Sequence, residues 1–521
     1  MESRITRQLD ELMETGTLRE EKASKSGTPI TTVKNFIGGK WVASASGRTV
    51  PNINPAKTTE ILCNTPLSTR EEAKAAISAA KEAFAKWRAT PAPVRGKLMF
   101  NAMLLLQERI EDVAVALTKE EGKILRESRG EIQRSINIME YAAGEGRRLK
   151  GSTIPSELQN TFIYTIRQPV GVCALITPWN FPVAVPVWKL APALVAGNTV
   201  VFKPSTYTPL TAVKIVEILE AAGFPPGVIN LVHGGGKTVG DELVNNPDVS
   251  AISFTGSNLV GNAIYAQAAK RGIRVQCEMG GKNPIVVLED ADLAIAAEGV
   301  IQGGFGSTGQ RCTAASRVIV EASVAKKFTE VLQTRMRAIR IGDGMDEQTD
   351  IGPSVEENQM NTVLKYIDIG RSEGATLVAG GGRMQDDRHK QGYFVEPTLF
   401  GNVNMKMRIA QEEIFGPVVS IIEAKDFDEA VELANNVKYG LSASLYSQDM
   451  AKIMKFAELA EVGKVHINTP TIGGEAQAPF GGIKSTAIGP KECGSEAFEF
   501  YTELKVVYLD YTGKKRETNI Y

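Results

Sequence analysis

The sequence predicts an α/β protein built from two doubly wound parallel-sheet domains, the first Rossmann-like, plus a small β ribbon suited to oligomerisation. Three observations carry this reading. At 521 residues the chain exceeds what one hydrophobic core organises. Runs that are apolar on both faces, such as 171–176, alternate with helical stretches, as in parallel strands covered on both sides. Two other stretches, 161–166 and 500–509, alternate apolar and polar residues instead, as half-exposed strands do. The expected organisation is an N-terminal extension (1–33), a dinucleotide-binding domain (34–149 and 170–280), a catalytic domain (281–480) and oligomerisation strands (150–169 and 495–512).

In chain order, the extension reads as an amphipathic helix or a disordered arm. Ile5, Leu9, Leu12 and Met13 share one helical face, and a polar linker follows at 21–29. Residues 36–42 read as a hairpin around Gly38-Gly39. Stretches 70–87, 94–120 and 131–149 have helical spacing, the last with a buried stripe of Ile132, Ile136, Ile138, Met139 and Tyr141. After strand 161–166 come strand 171–176, helix 186–196, strand 199–202, helix 208–222, strand 227–232, a turn at 234–236, a short helix and strand 249–254. The second half repeats the theme with strand 283–288, helix 291–303, a glycine-rich loop and strand 318–320. Residues 411–417 form a loop before strand 418–423. The tail strand 500–509 shows no evident partner and, with 161–166, suits addition to a neighbouring subunit's sheet.

Composition narrows the partners. Lys and Arg number 59 against 60 Asp and Glu, a formal net charge of −1, so neither nucleic acid nor an anionic membrane is expected to bind. The most apolar region, 170–195, is interrupted by Pro178, Pro182, Pro186, Pro192 and Lys189, which rules it out as a span. No secretory signal is expected at the N-terminus. The five cysteines are scattered without a CxxC pair, pointing to reduced thiols and a cytoplasmic protein. The three histidines, His233, His389 and His466, are far apart, and no metal site is expected.

In a parallel sheet, ligands bind beyond the carboxyl ends of the strands. Here those positions hold Thr177-Pro178-Trp179-Asn180, Lys203-Pro204-Ser205-Thr206, Gly234-Gly235-Gly236 with Gly240 beyond, and Thr255-Gly256-Ser257. Gly256-Ser257 opens a helix, where free main-chain N–H groups suit a pyrophosphate. Together the four strand ends suit a dinucleotide, although no G-x-G-x-x-G follows a strand.

The segment 303–317 carries Cys312 behind glycines and small hydroxyl residues. A thiol there can attack a carbonyl while its own N–H faces the developing charge. A buried structural cysteine is the competing reading. With so few histidines, a carboxylate is the base to consider.

Five motifs then resemble the aldehyde dehydrogenase superfamily, in its order and spacing, over roughly residues 34–512. They are Gln276-Cys277-Glu278-Met279-Gly280-Gly281-Lys282, Gly309-Gln310-Arg311-Cys312, Pro178-Trp179-Asn180-Phe181-Pro182, Phe254-Thr255-Gly256-Ser257 and Glu412-Glu413-Ile414-Phe415-Gly416-Pro417. The resemblance implies oxidation of an aldehyde to its acid with NAD or NADP. Cys312, as thiolate, would form a thiohemiacetal and then a thioester, and Glu278 would activate the hydrolytic water. Asn180 and the Cys312 N–H would hold the oxyanion. Ile176, Thr177, Pro178, Trp179 and Lys203 would line the adenosine side, Gly236 and Gly240 give room, and Ser257 meets the pyrophosphate. Glu413 would bind the nicotinamide ribose and Phe415 the ring, with Ser205, Phe254, Gly256, Met279 and Gly280 among the cofactor positions. Lys189 falls near the site, with a structural tether as its competing reading.

NAD-preferring members often carry a glutamate where Thr206 stands, so the cofactor is open between NAD and NADP, with NADP favoured by Thr206. Segments 312–317 and 470–482 resemble the semialdehyde branch, including 2-oxoglutarate semialdehyde dehydrogenases, yet no Arg between 181 and 190 offers a clamp for a substrate carboxylate. Small aliphatic or hydroxy aldehydes are the other substrates to consider. A homo-oligomer, dimer or tetramer, is expected. The alternatives are a coenzyme A-acylating enzyme and a non-catalytic dinucleotide or aldehyde binder.

Overall fold

Strand Val172–Ile176 is buried at every position, as an apolar run with no polar face must be. It lies at the centre of an eight-stranded sheet in the computed structural model, which describes residues 30–513. To one side lie Thr199–Lys203 and Ile229–Leu231, and to the other Val249–Thr255 and Arg274–Glu278, all parallel. The antiparallel edges are the hairpin Asn35–Ile37 and Lys40–Val42 at one side and Ala487–Ile488 at the other. The parallel strands therefore start in the middle, wind one way, then return and wind the other. Strand order reverses between Val172–Ile176 and Val249–Thr255, and a crevice opens beyond their carboxyl ends.

A second sheet is centred on Ala315–Glu321 and Asn283–Val287, which are parallel neighbours. Val418–Ala424 and Thr398–Gly401 extend it on one side, and Ser442–Tyr446 and Lys464–Ile467 on the other. Only its edge strand Thr376–Ala379 is antiparallel.

Residues 279–282 join the two sheets, running from the carboxyl end of Arg274–Glu278 to the amino end of Asn283–Val287. So short a link places the carboxyl rim of the first sheet against the amino rim of the second. Thr486 clamps it: Met279 N–H donates to the Thr486 carbonyl at 2.8 Å, and Thr486 Oγ1 donates to the Gly280 carbonyl at 2.9 Å.

The stretch 94–120 is helical as its spacing implies, divided into Ala92–Glu108 and Ile110–Glu121 where Arg109 leaves helical geometry (φ −108°, ψ 18°). Two expectations are corrected. The tail strand has a partner in its own chain: Thr502–Asp510 pairs antiparallel with Thr161–Pro169 along all nine residues. Alternation cannot reveal a pairing across so long a sequence separation. Residues at the end of the expected extension also belong to the fold, since Val33 N–H donates to the Asn64 carbonyl at 3.0 Å. The helical face of Ile5, Leu9, Leu12 and Met13 lies outside the described residues. No described helix is long and apolar enough to cross a membrane.

Candidate active site

Cys312 lies three residues before strand Ala315–Glu321, on the amino rim of the second sheet. Its carbonyl accepts from Asn283 Nδ2 at 2.7 Å, tying it to the inter-sheet link. The turn before it is unusual. Ser307, Thr308 and Gly309 all have positive φ (47°, 58° and 66°), which side-chain-bearing residues adopt at a cost. Tertiary contacts hold it there. Glu127 accepts the Ser307 N–H at 2.8 Å and Arg311 Nη2 at 2.7 Å, and Thr308 Oγ1 donates to the Gly352 carbonyl at 2.9 Å.

The Cys312 N–H makes no hydrogen bond among the described residues. Nearby, buried Asn180 spends one N–H of its amide on the Gln310 carbonyl at 3.1 Å, which leaves the second for another acceptor. Lys123 Nζ donates to the Asn180 carbonyl at 2.6 Å and fixes that residue from behind. A side-chain amide and a main-chain N–H are the kinds of donor that stabilise an oxyanion.

The sulfur is partly exposed, but burial, Glu413 and Glu278 push its thiol up to about 12. Desolvation is the largest of these causes and disfavours a resting thiolate, which leaves the other expected route, a base that takes the thiol proton. Glu278, at the end of its strand, is buried rather than a surface carboxylate (3% exposed). Burial, then Glu492, raises its pKa well above the carboxylate range. Its Oε2 accepts the Gly482 N–H at 3.2 Å. A buried carboxylate with a raised pKa is suited to moving protons near neutral pH.

Lys189 is a tether: fully buried, it pairs with Glu492 and donates to Ser253 Oγ at 2.8 Å. Cys277 is likewise packed in the core, its thiol pushed up to about 12 by burial.

The cofactor candidates collect on the carboxyl rim of the first sheet. Ile176 and Lys203 end adjacent strands in register, with Thr177, Pro178 and Trp179 following one and Ser205 and Thr206 the other. Gly236–Gly240 forms a wide helical turn, and a Cβ at Gly240 would sit 3.8 Å from Lys203 Cε. Ser257 caps helix Asn258–Arg271, its Oγ accepting the Val260 N–H at 3.4 Å. Phe254 and Met279 are buried, packed under the Gly256 and Gly261 backbones.

Glu413, expected on the nicotinamide side, accepts the Gly281 N–H at 2.9 Å, and burial raises its carboxyl to about 7. A Cβ at Gly280 would displace the end of that carboxylate. Phe415, at φ 58°, stands edge-on to Trp179 with ring centroids 5.4 Å apart. A dinucleotide fits this rim. Buried Lys203 is brought down to about 8 by desolvation and bonds only the Pro204 carbonyl, at 3.1 Å, among the described residues. Its charge is left for a ligand's hydroxyls or phosphate.

The aldehyde dehydrogenase family model matches residues 41–507. The chain belongs to that family. The enzyme is 45% identical over 482 residues to the alpha-ketoglutaric semialdehyde dehydrogenase of Bacillus subtilis, covering 92% of this chain and 99% of that protein. It is also 45% identical over 475 residues to a 2,5-dioxopentanoate dehydrogenase of Saccharolobus solfataricus, covering 91% and 98%. The betaine aldehyde dehydrogenase of Staphylococcus aureus, solved in complex with NAD+, superposes with a TM-score of 0.90 at 37% identity, covering 92% of this chain and 95% of that one. The enzyme is thus an NAD(P)-dependent oxidoreductase acting on small aldehydes, with the α/β architecture expected of it.

Sequence reasoning missed the residues that hold this site from outside its motifs. Glu127 and Lys123, which anchor the Cys312 turn and Asn180, sit about 180 and 60 residues upstream in an ordinary-looking helical region. Glu492, which shapes the Glu278 titration, falls in an unremarked Lys-Glu-Cys stretch. A charge inside an apolar pattern was the only available signal.

Proposed function

We propose that this dehydrogenase oxidises a semialdehyde, the substrate class its relatives are named for, to the corresponding acid through a Cys312 thioester. Cys312 attacks the aldehyde carbon, its thiol proton passing to a carboxylate or water as the S–C bond forms. The Asn180 amide and the Cys312 N–H donate to the resulting oxyanion; losing one such donor costs about 3–4 kcal/mol of barrier. A bound nicotinamide supplies the acceptor for the hydride, and the carbon left on Cys312 is a thioester. Glu278 takes a proton from water as that water adds to the thioester carbon, and the Cys312 sulfur leaves with the acid released. The single observation carrying this is the seam itself: a partly exposed Cys312, the Asn180 amide bonded to the carbonyl two residues before it, and a buried Glu278 carboxylate close enough to act on its thiol. That carboxylate supports water over coenzyme A as acyl acceptor.

Thr177, Lys203, Gly256 and Ser257 would hold the adenosine and pyrophosphate, with Glu413 and Phe415 on the nicotinamide side. Uncharged Thr206 supports use of NADP as well as NAD. We read the first sheet with its helices as the cofactor domain and the second as the catalytic domain. The exposed ribbon residues Leu504, Val506 and Tyr508 support a homo-oligomer, dimer or tetramer, and scattered unpaired thiols support a cytoplasmic setting. Replacing Cys312 with Ala should stop NAD(P)H formation while dinucleotide still binds; continued turnover refutes the mechanism.

A further inference from the structure

Helix Ala184–Ala196 follows Asn180 closely and starts without a cap of its own. Val183 stands at its N-cap and has no side-chain acceptor to offer. Pro182 and Pro186 carry no N–H, and the Val185 N–H turns back to the Phe181 carbonyl at 3.0 Å. That leaves the Val183 and Ala184 N–H groups in need of an acceptor from another segment.

Glu131 supplies it. From helix Leu125–Glu145, its Oε1 accepts the Val183 N–H at 2.8 Å and the Ala184 N–H at 3.0 Å. A carboxylate there also faces the positive end of the helix dipole. Its other oxygen, Oε2, accepts Lys123 Nζ at 2.7 Å. Lys123 in turn donates to the Asn180 carbonyl at 2.6 Å, with the Phe181 ring centroid 4.0 Å from the same nitrogen. Glu121 approaches that nitrogen only to 4.0 Å, so the direct bond is the one to Glu131. The two oxygens of one carboxylate thus hold segment 180–184 at both ends. The side chains of Lys123 and Glu131 are 1% and 0% exposed, and water is not at hand to replace either contact. The Asn180 amide is fixed separately, by the Gln310 carbonyl at 3.1 Å. Where its second N–H lies therefore depends on the main chain that Glu131 and Lys123 hold.

We propose that Glu131, acting through Lys123, is a positioning residue for the Asn180 amide during aldehyde oxidation, a role that rests on the oxyanion reading of Asn180 above. Glu131 touches no reacting atom. Without its charge Lys123 loses its anchor, segment 180–184 relaxes, and the second amide N–H shifts from the oxygen of the tetrahedral carbon. A shift of about 1 Å in a positioned group costs on the order of a hundredfold in rate.

The main probe is Glu131→Gln. Its amide oxygen still accepts from Val183 and Ala184, whereas its NH2 meets Lys123 Nζ as donor against donor and releases it. Lys123→Met is the second variant. Each is made in the unaltered enzyme and in Asn180→Ala, and kcat/KM is read from NAD(P)H formation with succinate semialdehyde. Each should lower kcat/KM at least about tenfold with Asn180 present, but less than about threefold in Asn180→Ala, where the positioned group is gone. A pair that only stabilises the fold costs the same in both backgrounds. Equal losses in the two backgrounds, or no loss with Asn180 present, overturn the proposal. If one variant does not accumulate as folded protein, the other completes the cycle. Asn180→Ala alone should lose about 10²–10³-fold; if it keeps its activity, the oxyanion reading fails first and the proposal falls with it.

Discussion

Glu127 Oε1 accepts the main-chain N–H of Ser307 at 2.8 Å while also taking Arg311 Nη2 at 2.7 Å. One carboxylate thereby holds both ends of the left-handed turn that aims Cys312. Two side-chain-bearing residues at positive φ cost about 1–3 kcal/mol each, so the turn needs that support. Glu127→Ala should lower kcat on the order of a hundredfold, the penalty for a nucleophile misplaced by about 1 Å. Dinucleotide affinity, on the opposite sheet, should hold. Steady-state kinetics with a fluorescence titration of NADP+ separates the two, and an unchanged kcat removes Glu127 from this role.

Glu278 must be ionised to accept a proton, and burial followed by Glu492 raises its pKa. Activity should therefore increase with pH along a limb lying above the ordinary carboxylate pKa of about 4.3. Glu278→Gln should lower kcat by about 10²–10⁴-fold and abolish that limb. A pH–rate profile of both proteins decides it; a limb surviving in the variant assigns the base elsewhere.

Glu413 titrates near neutrality, its carboxyl raised to about 7 by burial. As a carboxylate it accepts ribose hydroxyls more strongly than as an acid. Dinucleotide affinity should accordingly improve as pH rises from 6 to 8 in Kd titrations. Glu413→Gln should weaken binding about 10- to 100-fold at pH 8, the loss expected for a charge-assisted hydrogen bond, and flatten the pH dependence.

Thr206 follows Lys203 on the rim where the adenosine ribose would lie. A carboxylate placed there would repel a 2′-phosphate. Thr206→Glu should reduce kcat/KM for NADP+ by at least about tenfold relative to NAD+. Parallel assays with the two cofactors test this, and an unaltered ratio would place the 2′ position elsewhere.

The ribbon strand Thr502–Asp510 leaves Leu504 56% and Tyr508 71% exposed in the isolated chain, an unusual cost for large apolar side chains in one strand. Leu504→Glu combined with Val506→Asp should reduce the molar mass measured by light scattering to that of a smaller assembly. An unchanged mass excludes this ribbon from the interface.

Local chemistry was readable without coordinates. Periodicity separated the buried strands, such as Val172–Ile176, from the half-exposed ribbon, because a side-chain repeat of two or of 3.6 is written in the order of residues. The residues following each strand gave the candidate cofactor positions, since a parallel sheet presents its carboxyl ends to ligands. Family motifs then named Cys312, Glu278 and Asn180 together.

What the order of residues could not specify was charge state and distant support. The Cys312 thiol is pushed up first by desolvation and then by Glu413 and Glu278, which arrive beside it from other segments. Lys123 and Glu131 hold segment 180–184 because packing brings them to Asn180 and Val183 across 57 and 52 residues of sequence. Both depend on water being excluded and on charges brought close by packing, and electrostatic energy depends on distance and dielectric, neither of which is a property of sequence position.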